Sequence, residues 1–277
     1  MKGLTGELKK RVLRKDTLIT GCVMDSRSGA VVEMYQECGY DLVLIDREHT
    51  ALNSETMLEQ IRIARALGIP CMVRAADSSY HEACRFLDQG ADGIFMPRIH
   101  SRQEAEDFIR NVKYPPLGLR GLGASTCPAG KYMGWGKVRD MVEFFNENLV
   151  VGIQIETAGA LADLDGILSV PGIDVAVVGN DDLSMGMGIV GELDNPKYIE
   201  AVMKMIATCE KHGVLPGIAC GDPARLRFWH DKGMRFFWAA ADVCLMWDAA
   251  GKQMSSIKSA LAAKKAPPLG GNAAGNI

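Results

Sequence analysis

Eight short apolar runs, each followed by a helical stretch, constrain this chain more than any other feature. They cover residues 18–23, 41–46, 70–74, 93–97, 149–156, 175–179, 215–220 and 236–240. Continuous apolar runs of this length read as strands buried on both faces, the pattern of a parallel sheet. Between them, helical periodicity is bounded by ordinary signals. Gly39, Gly68 and Gly90 are helix stops. Ser101 with Glu104 three residues on is a capping box. The units recur at roughly 25–40 residues over about 250 residues, which predicts an α/β protein of the (β/α)8 barrel type. With no internal repeat or linker, residues 1–266 are expected to form one barrel domain. The Gly/Asn/Ala-rich residues 267–277 are expected to be a disordered tail.

The polar residues collect where the runs end. The second run finishes on Asp46 and leads into Arg47, Glu48 and His49, the third finishes on Arg74, and the fifth carries Gln154 and Glu156. The sixth leads through Gly179 and Asn180 to Asp181 and Asp182. In a parallel barrel these C-terminal ends share one face, the face that carries chemistry. Asp46 and His49 are close enough in sequence for a carboxylate to orient an imidazole as a general base, or for both to cap the following helix. Glu156 and Asp182 suit a divalent cation with open positions, an acid and base pair acting on a sugar, or two helix caps. Arg74 suits a carboxylate or enolate oxygen, or an ion pair with one of these acids.

Other classes are disfavoured. No predicted strand contains a lysine, so a Schiff-base mechanism lacks its desolvated amine. The Gly-rich stretch 114–135 lacks GxGxxG after a strand, which argues against a dinucleotide site. A net charge of −3 gives no reason to expect nucleic acid as a partner. The 8 cysteines form no CxxC pair, no apolar run approaches the ~20 residues that span a bilayer, and the first residues carry no apolar signal core. A cytoplasmic protein with no membrane partner is expected.

Five segments in order resemble a known family: 44–49 (LIDREH), 72–74 (MVR), 114–121 (YPPLGLRG), 154–157 (QIET) and 179–184 (GNDDLS). Together, over about residues 4–262, they look like the HpcH/HpaI family of class II aldolases, which includes 4-hydroxy-2-oxoheptanedioate aldolase and 2-keto-3-deoxy-sugar-acid aldolases. The resemblance implies a TIM barrel of the phosphoenolpyruvate/pyruvate superfamily. It also implies a homo-oligomer, hexamer or trimer, with the last helix exchanged between subunits.

Carried over residue by residue, Glu156 and Asp182 match the family's metal ligands, with Mg2+ or Mn2+ expected and Co2+ or Zn2+ as other divalent ions. Arg74 matches the arginine on the pyruvate carbonyl or enolate oxygen. His49 with Asp46 matches the acid–base dyad. Gln154, Gly179 and the backbone at Asp181 match contacts near the metal and the pyruvate carboxylate. The implied reaction is reversible cleavage of a 4-hydroxy-2-oxo acid to pyruvate and an aldehyde through a metal-stabilised pyruvate enolate. Oxaloacetate decarboxylation, acyl-CoA cleavage and a non-catalytic ligand-binding barrel are the alternatives. Two departures stand out: Asn180 where many members have proline after the glycine, and Arg47 where many have a small residue. Arg47 would pair with a second substrate carboxylate or point to solvent.

Overall fold

A computed structural model describes residues 6–263. The apolar runs form β1 (Leu18–Val23), β2 (Leu42–Asp46), β3 (Cys71–Arg74), β4 (Gly93–Met96), β5 (Val150–Ile155), β6 (Val175–Val178), β7 (Leu215–Ala219) and β8 (Phe236–Ala241). All pair in parallel, in chain order, and β8 returns to β1 to close a barrel. Closure leaves no strand edge open.

Helix α1 (Glu7–Leu13) precedes the barrel. Helices α2 (Ala30–Glu37), α3 (Ser54–Leu67), α4 (Tyr80–Gln89), α5 (Arg102–Val112) and α6 (Val138–Asn148) follow the first four strands. The second half carries α7 (Ala158–Ala162), α8 (Leu164–Leu168), α9 (Asn180–Gly186), α10 (Pro196–His212) and α11 (Pro223–Asp231). Periodicity reads 158–168 as one helix; the structure breaks it at Asp163, whose φ −114, ψ 33 is not helical.

The caps explain most boundaries. Asn53, Ser79, Ser101 and Thr157 each accept a backbone N–H three residues on. The expected capping box is half formed: Ser101 bonds the N–H of Glu104, while the Glu104 carboxylate takes the N–H of His100 at 2.8 Å. The chain divides after Asp242 into two units. The second carries the rest of helix α12 (Asp242–Ala262), which has no buried residue. The tail expected at 267–277 lies outside the described residues.

Strand periodicity of two sorts the side chains into two layers. Val43, Ile45, Val73, Ile94, Val151 and Ile153 face the helices. Leu42, Leu44, Met72, Phe95, Val150, Val175, Val177 and Phe236 fill the barrel. Gly152 makes room inside: a Cβ there would lie 2.2 Å from the Phe95 ring. The same parity carries the inward set 42, 44 on to Asp46, and 72 on to Arg74. The polar strand ends are therefore the topmost layer of the barrel interior.

The opposite face is closed by a repeated device. Asp41, Asp92 and Asp174 each precede a strand and accept an N–H from the strand before. The bonds are Ile19 at 2.7 Å, Cys71 at 3.0 Å and Val151 at 2.9 Å. Asp92 is half-buried, and the desolvation of its carboxyl pushes it up to about 6. Among the described residues no helix is long and apolar enough to cross a membrane.

Candidate active site

Asp46 and Arg74 are opposite each other in the β2–β3 register. Their side chains form a fork-to-fork pair, Nε to Oδ1 and Nη2 to Oδ2, both 2.7 Å. Asp46 is fully buried and Arg74 is 8% exposed. The two backbone N–H groups of Glu48 and His49 also donate to the Asp46 carboxylate, at 3.0 and 3.3 Å. Burial alone would lower the Arg74 pKa. The Asp46 hydrogen bonds and charge, with Glu48 beyond, outweigh that and hold it above its usual value. The guanidinium lies over the Trp238 ring, 4.7 Å from its centroid, and Nη1 reaches Gln154 Oε1 at 3.3 Å.

The expected Asp46–His49 side-chain dyad is therefore not what the structure brings together. Asp46 has four donors already and none is the imidazole. The His49 ring is half exposed, and its nearest acid is Glu48, with Nε2 3.6 Å from Oε2. The same Glu48 oxygen lies 3.2 Å from Arg74 Nη1, buried and without a hydrogen bond. Desolvation raises the Glu48 pKa; Arg74 and His49 oppose it, and Asp46 adds to it. Sequence spacing pointed to the i,i+3 neighbour, whereas the sheet register supplies the nearer and stronger partner across the strand.

Glu156 follows β5 and is buried. Its Oε1 accepts the Arg98 backbone N–H at 2.6 Å, and its Oε2 accepts Gln154 Nε2 at 3.0 Å. Gly179 is required beside it, since a Cβ would lie 2.1 Å from Oε2. Desolvation raises the Glu156 pKa; the Arg98 N–H lowers it, and the charges of Glu48 and Asp182 raise it further. Asp182 stands in the first turn of α9 and accepts Arg98 Nη1 at 3.2 Å. Asp181 beside it is exposed. A cleft of about 320 Å³ is lined by Arg98, His100, Glu156, Thr157, Asp182 and Met185, among others.

Two departures seen in the sequence find structural partners. The Asn180 amide donates to the Ala219 carbonyl at 2.6 Å, and its oxygen accepts the buried Tyr198 hydroxyl at 2.7 Å. Asn180 thus ties the start of α9 to β7 and α10. Arg47 does not simply point to solvent. It pairs with Glu82 at 3.3 Å and donates to the Leu52 carbonyl at 2.7 Å, strapping the loop after β2 to α4.

Sequence reasoning missed Arg98 and Trp238. Arg98 sits just past β4, at the same level as the polar ends of the other strands. Trp238 falls on the inward parity of β8 with Phe236. Lys113 is a decoy. Burial pushes its amine down to about 8, but its Nζ bonds the carbonyls of Asn146 and Leu149, just before β5 and so at the far end of the barrel. Among the described residues no strand contains a lysine.

The donor chemistry fits a hard divalent cation. Glu156 and Asp182 offer only oxygen, and each Glu156 oxygen, accepting one N–H, retains a lone pair. The charges of Glu48 and Asp182 both act against an ionised Glu156, an imbalance a cation would relieve. Among the described residues no group of three or more His, Cys, Asp or Glu is placed to hold a metal alone. Two carboxylates completed by water and substrate is the arrangement Mg2+ or Mn2+ tolerates.

A family model described as HpcH/HpaI aldolase/citrate lyase matches residues 20–249. Hydroxypyruvate/pyruvate aldolase of Paraburkholderia phytofirmans is 31% identical over 261 residues, 94% of this chain and 100% of that protein. 4-hydroxy-2-oxo-heptane-1,7-dioate aldolase of Shigella sonnei is 29% identical over 233 residues, 82% of this chain and 88% of that one. The crystal structure of an HpcH/HpaI aldolase from Desulfitobacterium hafniense superposes with a TM-score of 0.85 at 28% identity. It covers 91% of this chain and 96% of its own.

Proposed function

The chain belongs to the HpcH/HpaI aldolase/citrate lyase family, and from that premise we propose that it is a divalent-metal-dependent aldolase acting on a 4-hydroxy-2-oxo acid. What supports this reading above all is the meeting of two carboxylates, Glu156 and Asp182, with the buried, pre-oriented guanidinium of Arg74 at one end of the barrel.

Glu156 and Asp182 would hold the cation, which when bound supplies Lewis-acid stabilisation of negative charge developing on the 2-oxo acid. Arg74 shares that charge. Asp46 fixes its Nε and Nη2 edge, so the Nη1 edge, now on Gln154 and Glu48, is the one a substrate oxygen takes up. Asp46 thus acts through Arg74 as a positioning residue. The Trp238 face under the guanidinium excludes water from one side.

In the cleavage direction the C3–C4 bond breaks and the 4-hydroxyl loses its proton. The bond's electron pair moves into the 2-oxo fragment, which takes a proton at C3 to become pyruvate; the other fragment leaves as the aldehyde. His49 moves the hydroxyl proton. It is half exposed at the mouth, and Glu48 rather than Asp46 faces its ring.

The test is pyruvate release from a 4-hydroxy-2-oxo acid by Glu156→Gln and Asp182→Asn variants shown to be folded by circular dichroism. Loss of release in both is expected. Native-like cleavage in either would sink the reading.

A further inference from the structure

Arg98 touches both carboxylates assigned to the metal. Its backbone N–H donates to Glu156 Oε1 at 2.6 Å and its Nη1 lies 3.2 Å from Asp182 Oδ1. It reaches them from the left-handed region, φ 51, where a non-glycine residue is uncommon and costs free energy. That backbone turn aims the N–H of residue 98 at Glu156 while its side chain crosses to α9. Nearby Arg74 does not serve Asp182: two of its nitrogens are committed to Asp46, and its third faces Gln154 and Glu48. Arg98 therefore supplies the positive charge that Asp182 meets when no metal is bound.

We propose that Arg98 is a built-in counter-cation: it holds the Glu156–Asp182 pair in the metal-free protein and competes with the divalent ion for Asp182. This rests on the reading of those two carboxylates as the metal ligands. The two halves of Arg98 act differently. The backbone N–H leaves a Glu156 lone pair free and helps orient the ligand in both states. The guanidinium must leave Asp182 or turn aside when a second cation arrives, because two positive charges cannot share one carboxylate without repulsion. The side chain can do so because it is 54% exposed and long enough to move into the cleft it lines. Its position at the mouth, beside His100, then leaves a free guanidinium facing the incoming ligand.

The test is Mn2+ binding to metal-stripped protein, read by the electron paramagnetic resonance of free Mn2+, with thermal unfolding of the same samples. Arg98→Gln keeps the backbone N–H and removes the charge. Its Mn2+ Kd is expected to tighten about two- to fivefold, the range set by an exposed ion pair. Its metal-free Tm should fall and its metal-induced rise in Tm should grow. Arg98→Lys keeps the charge and should bind Mn2+ close to the native protein. A merely structural Arg98 predicts the opposite sign, since loosening Asp182 would weaken binding. Unchanged or weaker Mn2+ affinity in Arg98→Gln overturns the proposal and leaves the metal site standing. Absence of saturable Mn2+ binding by the native protein, or native-like binding by Glu156→Gln, overturns the metal reading and this inference with it.

Discussion

Replacing Asp46 with asparagine tests the innermost layer of the site. The carboxylate is fully buried and accepts four hydrogen bonds, two of them from a guanidinium that is itself 8% exposed. The amide keeps the shape but removes the charge and turns an NH2 group toward Arg74. Arg74 is then a buried cation with donors facing a donor. Breaking a buried pair by removing one partner costs about 3–5 kcal/mol. For a chain of this size that lowers Tm by on the order of 6–20 °C. Removing both partners should cost much less, because no uncompensated charge remains.

The assay is urea and thermal unfolding of Asp46→Asn, Arg74→Met and the double variant. The double variant should be more stable than the sum of the singles by at least about 2 kcal/mol. A second readout separates positioning of Arg74 from orientation of His49. If Asp46 works through Arg74, Asp46→Asn loses turnover without moving the imidazole limb of the pH–rate profile. Additive singles, an Asp46→Asn cost under about 1 kcal/mol, or a shifted imidazole limb would refute the assignment of Asp46 to Arg74.

Other consequences follow from single contacts. Gly179→Ala puts a methyl group 2.1 Å from Glu156 Oε2, so Mn2+ affinity measured by titration should fall at least about tenfold with the far-ultraviolet spectrum unchanged. Tyr198→Phe removes the hydroxyl on Asn180 and should cost about 1 kcal/mol in urea unfolding. Asp92, raised from 3.8 to about 6, contributes stability that is fully present below 3.8 and lost as pH rises through 6. Asp92→Asn keeps an acceptor for Cys71, so it should gain on the native protein between pH 4 and 8, by up to about 3 kcal/mol. An equal stability difference across that range would contradict the burial argument. Arg74→Ala should abolish cleavage while the barrel persists; measurable turnover would remove Arg74 from the mechanism.

The barrel and the level of its site were legible because each rests on a local rule. Short apolar runs fix buried parallel strands, and the two-residue period then puts Asp46 and Arg74 on the parity of Leu42, Leu44 and Met72. What was not legible depends on register and loops. Nothing in the sequence says that Asp46 lies across from Arg74, so the nearer neighbour His49 took its place in the reading. Arg98 reads as a solvated arginine after Met96 and Pro97; only the closed barrel brings it between Glu156 and Asp182. Arg47 offered a cation without a partner until α4 placed Glu82 against it. The break at Asp163 is a backbone choice that the helical period of 158–168 conceals.

The most direct measurement is pyruvate release by metal-stripped native protein from a 4-hydroxy-2-oxo acid, with and without added Mn2+ or Mg2+. Negligible release without metal, release restored by either ion, and no restoration in Glu156→Gln are expected. Undiminished cleavage by fully stripped protein would contradict the metal-dependent mechanism. No pyruvate with any divalent ion, from folded protein, would contradict the reaction itself.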